Sequence, residues 1–203
     1  MSNKRFGIKE VADVTFYKIN NDGSKGEAVL ILDTLKVSNI ENTAEQTDAK
    51  GGKGNASLLS WDYGREITVT LQDAILSEKT MELAYGQPFV DGVLTISAKA
   101  FPGVYWVEGS TFARDLKTGK DEVFRFIIPK AKIQSENTLA MEAEGDPTVF
   151  DINIKVLRSS GGEMMRLELV TEAVIIESGS YIGENAEEEG VMVTWSLRED
   201  GTL

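Results

Sequence analysis

The sequence predicts a mainly β fold, with two packed antiparallel sheets forming a sandwich or barrel and one short α-helix flanking them. Three observations carry this. Apolar and polar residues alternate with a period of two through most of the chain. Turn residues (Gly, Pro, Asn, Asp) separate the alternating runs. Only one segment carries both a helix start and a helix stop. At 203 residues, the chain is read as a single domain spanning 1–203.

The elements follow in order. Strands are predicted at Val11–Ile19 and Ala28–Val37, separated by the turn Asn20-Asn21-Asp22-Gly23. Asn20, Asp22 and Ser24 have the spacing of half a calcium loop, but the rest of that loop is missing, and a hairpin turn accounts for them. Residues 39–55 are polar and glycine-rich, which predicts a long loop of the length usually reserved for function. A strand at Glu66–Gln72 precedes the helix. There Ser77 is the N-cap, Glu78 complements the helix dipole, and Gly86 and Pro88 end the helix. Met81, Ala84 and Tyr85 share one face at i, i+3, i+4 and are predicted to pack it on a sheet.

Further strands are predicted at Phe89–Ser97 and Val123–Ile128. Ala131–Ala143 alternates so regularly that it reads as one strand roughly 40 Å long at about 3.3 Å per residue. With Phe150–Leu157 it forms a long hairpin, one face apolar and the other largely polar, turning at Glu144-Gly145-Asp146-Pro147. Met165–Ile176 and Val191–Leu197 complete the set, and an acidic loop is expected at 183–190.

Composition removes most chemistry. The formal net charge is −12, with no Cys and no His. Thiolate or histidine metal sites, cysteine nucleophiles and histidine bases are excluded, and the acidity argues against a nucleic-acid grip. The charge is uneven, since residues 134–203 hold 4 bases and 15 acids. Residues 1–10 lack the apolar stretch of a secretory signal, and no run is long enough to span a membrane, so a cytosolic product without membrane contact is expected. No cofactor or metal is expected, and no catalytic residue is assigned.

Three readings survive. A carboxylate glycosidase needs only two acids at the right separation, and Asp62, Asp73, Glu108 and Asp115 are candidates, though no arrangement singles out a pair. A carbohydrate-binding sandwich could use Trp61, Tyr63, Tyr105, Trp106 and Trp195 as a stacking platform. An assembly protein explains a long hairpin that is marginal alone, because joining copies edge to edge in a closed ring removes the exposed edges.

The segment Lys50-Gly51-Gly52-Lys53-Gly54-Asn55-Ala56, running into Trp61-Asp62-Tyr63-Gly64-Arg65-Glu66-Ile67, resembles the major tail tube proteins of tailed phages of Gram-positive bacteria. Leu71-Gln72-Asp73-Ala74, Ile128-Pro129-Lys130-Ala131-Lys132-Ile133 and Met141-Glu142-Ala143-Glu144-Gly145-Asp146-Pro147 extend that resemblance. It implies a homo-hexameric ring stacked into a tube, assembled in the host cytoplasm and carried in the virion tail. Its implied partners are tape-measure and baseplate or terminator proteins, plus a sheath if the tail contracts, and DNA passes through without specific binding. The resemblance puts Glu41, Glu45, Asp48, Lys50, Gly52 and Lys53 on a ring-stacking loop. It points Lys132, Gln134, Glu136, Glu142, Asp151, Asn153 and Lys155 into an acidic lumen.

Overall fold

The structure is a computed structural model, and it describes residues 4–8, 13–136, 139 and 150–170. In chain order the strands are β1 Phe6–Ile8, β2 Asp13–Ile19, β3 Lys25–Leu32, β4 Leu35–Gly51 and β5 Ala56–Asp73. After helix α1 (Glu78–Tyr85) come β6 Phe89–Val90, β7 Val93–Leu94, β8 Val104–Asp115, β9 Asp121–Ile133, β10 Phe150–Val156 and β11 Arg166–Val170. Among the described residues the fold is mainly β with one helix, as predicted, and its two antiparallel sheets are unequal: nine strands in one, and the β6–β7 hairpin in the other.

The large sheet runs β3-β2-β8-β9-β10-β5-β4, with β1 added to β8 and β11 to β9. Its first and last strands are consecutive in sequence, joined only by Asp33 and Thr34. Seven flat strands would hold their outer members about 29 Å apart at ~4.8 Å per strand. Leu32 and Leu35, three residues apart, can be separated by at most about 11 Å. The sheet must therefore curl until its edges meet. The Ala74 amide bonds to the Thr34 carbonyl, and Thr34 Oγ1 donates to the Asp73 carboxylate, which ties the seam.

The inside of the curl is the core. It holds Val14 and Phe16 of β2, Val69 and Leu71 of β5, Val107 of β8, Ile128 of β9, and Phe150 and Ile154 of β10, all fully buried. Burying each such side chain contributes about 1.5–3 kcal/mol. Helix α1 closes over it. Ser77 Oγ accepts from the Thr80 amide at 3.0 Å, and Gly86, at φ 67°, donates its amide to Glu82 O at 2.8 Å. The buried helical residues are Thr80, Leu83 and Ala84, while Tyr85 stacks towards Phe150 with ring centroids 6.5 Å apart. Met81 is only half-buried.

Several elements differ from expectation. Residues 39–51 are not a loop but most of β4, paired along β5 from Leu35↔Asp73 to Gly51↔Ala56. The longest hairpin among the described residues is thus β4–β5. Of the predicted Ala131–Ala143 strand, residues 131–133 close β9 and pair with β10, and residues 134–136 leave the strand where β8 offers no partner. Leu139 bridges Phe150, and the remainder, with the predicted turn Glu144-Gly145-Asp146-Pro147, lies outside the described residues. Ala28–Val37 is two strands broken at Asp33-Thr34, and Phe89–Ser97 shrinks to a tight hairpin about Asp91-Gly92. Strand β8 went unpredicted because Gly109 interrupts its alternation. A Cβ there would meet the Phe126 ring at 2.2 Å, so that ring takes the side chain's place. Asn20-Asn21-Asp22-Gly23 is a hairpin turn, closed by the Asn20 amide on Ser24 O. The expected 183–190 loop, the Val191–Leu197 strand and the end of Met165–Ile176 lie outside the described residues.

Candidate assembly surface

Strand β10 sets up a two-sided wall. Phe150, Ile152, Ile154 and Val156 are buried, and Asp151, Asn153 and Lys155 alternate with them on the outer face. Their cross-strand partners on β5 are Gln72, Thr70 and Thr68. Thr70 Oγ1 donates to Asn153 Oδ1 at 3.1 Å, Gln72 Nε2 donates to Asp151 Oδ1 at 3.0 Å, and Lys155 pairs with Glu66. On β9, Lys132 stands opposite Lys155 and donates to the Pro102 carbonyl. The Gln134 amide bonds to Asn153 O, and Asn153 Nδ2 reaches the Glu136 carbonyl. The result is a ladder of polar side chains backed by the core, in which Lys155 is matched by Glu66. Of the predicted lumen residues, Lys132, Gln134, Glu136, Asp151, Asn153 and Lys155 fall together on or beside this wall, and Glu142 lies outside the described residues. Glu66, Thr70 and Gln72 join them unpredicted, although the alternation of β5 carried the signal.

Beyond Thr68, where β10 stops pairing, β4 and β5 continue as a two-stranded arm. Residues 56–66 are all exposed. Among the described residues neither outer edge of the arm has a strand partner, and a lone ribbon of this kind is marginal in water. The tip turns through Gly52-Lys53-Gly54-Asn55, with the Asn55 amide on Gly52 O. Glu41, Glu45, Asp48 and Lys50 are exposed along β4, while Gly52 and Lys53 occupy the tip.

A bulge decides which way the arm faces. Thr43 pairs with Glu66 and Glu45 with Tyr63, so Gly64 and Arg65 together oppose Ala44. Gly64 is left-handed, at φ 61°, which a side chain tolerates poorly. The extra residue reverses the alternation: Trp61 and Tyr63 share the face of Glu66, Thr68 and Thr70, not that of the core residues Ile67, Val69 and Leu71. Leu59, opposite Ala49, lies on the same face as Trp61. The other face is polar, with Gln46 Nε2 donating to Asp62 at 2.8 Å.

Among the described residues neither alternative constellation assembles as a whole. Asp62 lies on the arm, Asp73 at the seam, Glu108 mid-strand beside Lys25 and Trp106, and Asp115 at the β8–β9 turn, where the Lys117 and Thr118 amides bond to it. These amides hold the Asp115 carboxyl below the usual carboxylate range. Tyr105 packs edge-on to Phe16 in the core, away from Trp61 and Tyr63, and Trp195 lies outside the described residues. Among the described residues no cluster of carboxylates is arranged to hold a metal, and no helix is long and apolar enough to cross a membrane.

The model of the YomU/Tube protein family matches residues 6–94 and 92–167, most of the chain. No curated relative matches it.

Proposed function

Since this chain belongs to the YomU/Tube protein family, and is thereby a structural protein of a phage tail tube, we propose that it works as a self-assembling ring subunit whose stacked hexamers conduct DNA. The single observation that carries the reading is the β4–β5 arm. It combines long unpaired strand edges with exposed aromatic side chains, two liabilities that assembly with further copies removes.

In this reading the ladder of Asp151, Asn153 and Lys155 lines the bore, and the core behind it keeps the wall stiff. With Lys155 held by Glu66 and Lys132 by the Pro102 carbonyl, the ladder offers DNA phosphates no free cationic row, so the duplex slides without being gripped. Acidity of the bore then rests on residues such as Glu136 and Glu142. The exposed arm residues Glu41, Glu45, Asp48, Lys50, Gly52 and Lys53 make contacts between copies, and tape-measure, baseplate or terminator proteins, with a sheath in a contractile tail, meet the ends and outside of the tube.

Negative-stain electron microscopy of the purified, concentrated chain tests this reading. Rings or tubes with a central channel are expected; a monomer at every concentration and ionic strength would refute it.

A further inference from the structure

The arm has a counterpart at the far end of β8 and β9. There β1 and β11 widen the pair into a four-stranded ribbon, and Ile8 stands opposite Ala113 while Leu167 stands opposite Phe126. These positions continue the core face of the sheet. Yet Phe6, Ile8, Leu167 and the adjoining Leu116 are 42% to 65% exposed, and among the described residues nothing covers them. An apolar face left open in this way marks an interaction site.

Resting on the ring reading, we infer that the aromatic face of one copy's arm (Leu59, Trp61 and Tyr63) seats on this open ribbon face of a second copy, sideways around the ring. Three features select that occupant. Both surfaces are rows of large apolar side chains on β ribbons, which interdigitate when stacked face to face. Their charges are complementary: Glu41 and Glu45 lie on the arm's aromatic face, whereas Arg5, Lys117 and Lys120 fringe the ribbon, and none of the five has an ion pair among the described residues. The reach also fits. From the level where β10 ends, the arm runs from Thr68 to Ala56 and the ribbon from Lys132 to Asp121, each roughly 36–40 Å at about 3.3 Å per residue.

Direction decides the geometry. Strands β5 and β9 flank β10 on its two edges and both project past its C-terminal end, so arm and ribbon leave the core the same way. Two features at the same end of each copy meet by rotation about the ring axis, a heterologous contact that closes on itself. The arm thereby links neighbours within a ring.

The chain has no cysteine, so introduced ones are the only thiols. Chains carrying Tyr63→Cys alone and Leu116→Cys alone, both at exposed positions, are mixed under assembly conditions and treated with a short bismaleimide. The expected main product is the mixed dimer, and a chain carrying both substitutions gives a ladder that ends at the ring size. Tubes visible by negative stain without mixed dimers would overturn this contact and leave the tube reading standing. So would a double variant that links only within itself, or a ladder that grows without limit, which places the contact along the stack. Absence of rings and tubes at every concentration would overturn both readings.

Discussion

Inserting one alanine between Ala44 and Glu45 should turn the arm over without disturbing the core. The bulge at Gly64 and Arg65 is the sole reason that Trp61 and Tyr63 lie on the face of Glu66 rather than that of Ile67. With a residue added on β4 opposite Gly64 the bulge is gone, β5 regains its period of two, and every side chain from Ala56 to Tyr63 changes face. Residues 56–66 are exposed, and Ile67, Val69 and Leu71 keep their places against β10 and the core. The fold should therefore lose no more than about 1 kcal/mol, which for a domain of this size lowers the melting temperature by roughly 2–4 °C.

Assembly should suffer far more. Trp61 and Tyr63 are each 52% exposed. An aromatic side chain buries about 150–250 Å² in full, so each has about 100 Å² left to bury against a partner. At ~25 cal/mol per Å², that is about 2.5 kcal/mol each, or about 5 kcal/mol for the pair. Lost together, these amount to more than about a thousandfold in association constant. Sedimentation and negative-stain imaging over a concentration series read that shift. Gly64→Asn, which keeps the bulge with a residue that tolerates the left-handed region, should still assemble. If the chain with the inserted alanine polymerises at the concentration of the parent, the aromatic face has no role in assembly.

Two further outcomes follow from local geometry. Gly86→Ala should destabilise the fold by more than about 2 kcal/mol, because the left-handed cap strains any side chain by about 1–2 kcal/mol and a methyl there would meet the Phe101 carbonyl oxygen at 2.3 Å; a loss below about 1 kcal/mol in chemical denaturation would contradict this. At Glu168, the guanidinium of Arg125, bonded at 2.6 Å, holds the carboxyl below its ordinary value of 4.5. Its contribution is therefore present above pH 4.5 and lost as pH falls through the lowered folded value. Protection factors of the β11 amides, taken against the intrinsic exchange rate at each pH, should fall on acidification in the parent chain, and Glu168→Gln should remove that pH dependence; an unchanged acid response in the variant would assign it elsewhere.

Local signals were legible where a buried face alternates without interruption or a helix carries its caps; β8, broken at Gly109, was missed. The helix was readable from Ser77 to Gly86, because capping chemistry is written within a few residues. Strand β10 was readable because its core and polar faces alternate without interruption. Strand β4 was not. Its outer stretch is exposed on both faces, so it lacks the apolar alternation that marks a strand, and only its partner β5 supplies the ladder. The reverse error occurred at residues 134–136, where alternation persists but β8 offers no partner strand.

Composition alone removed thiol and histidine chemistry, since absent side chains cannot be restored by folding, and short-range pattern settled the mainly β class with its single helix. What faces what belonged to the tertiary structure. The curl follows from a two-residue link between the sheet's outer strands, the turn of the arm from one inserted residue at Gly64, and the open ribbon from the strands that flank β8 and β9. Each depends on pairing between residues far apart in the chain, and hydrogen-bond register over such distances leaves no mark in local sequence.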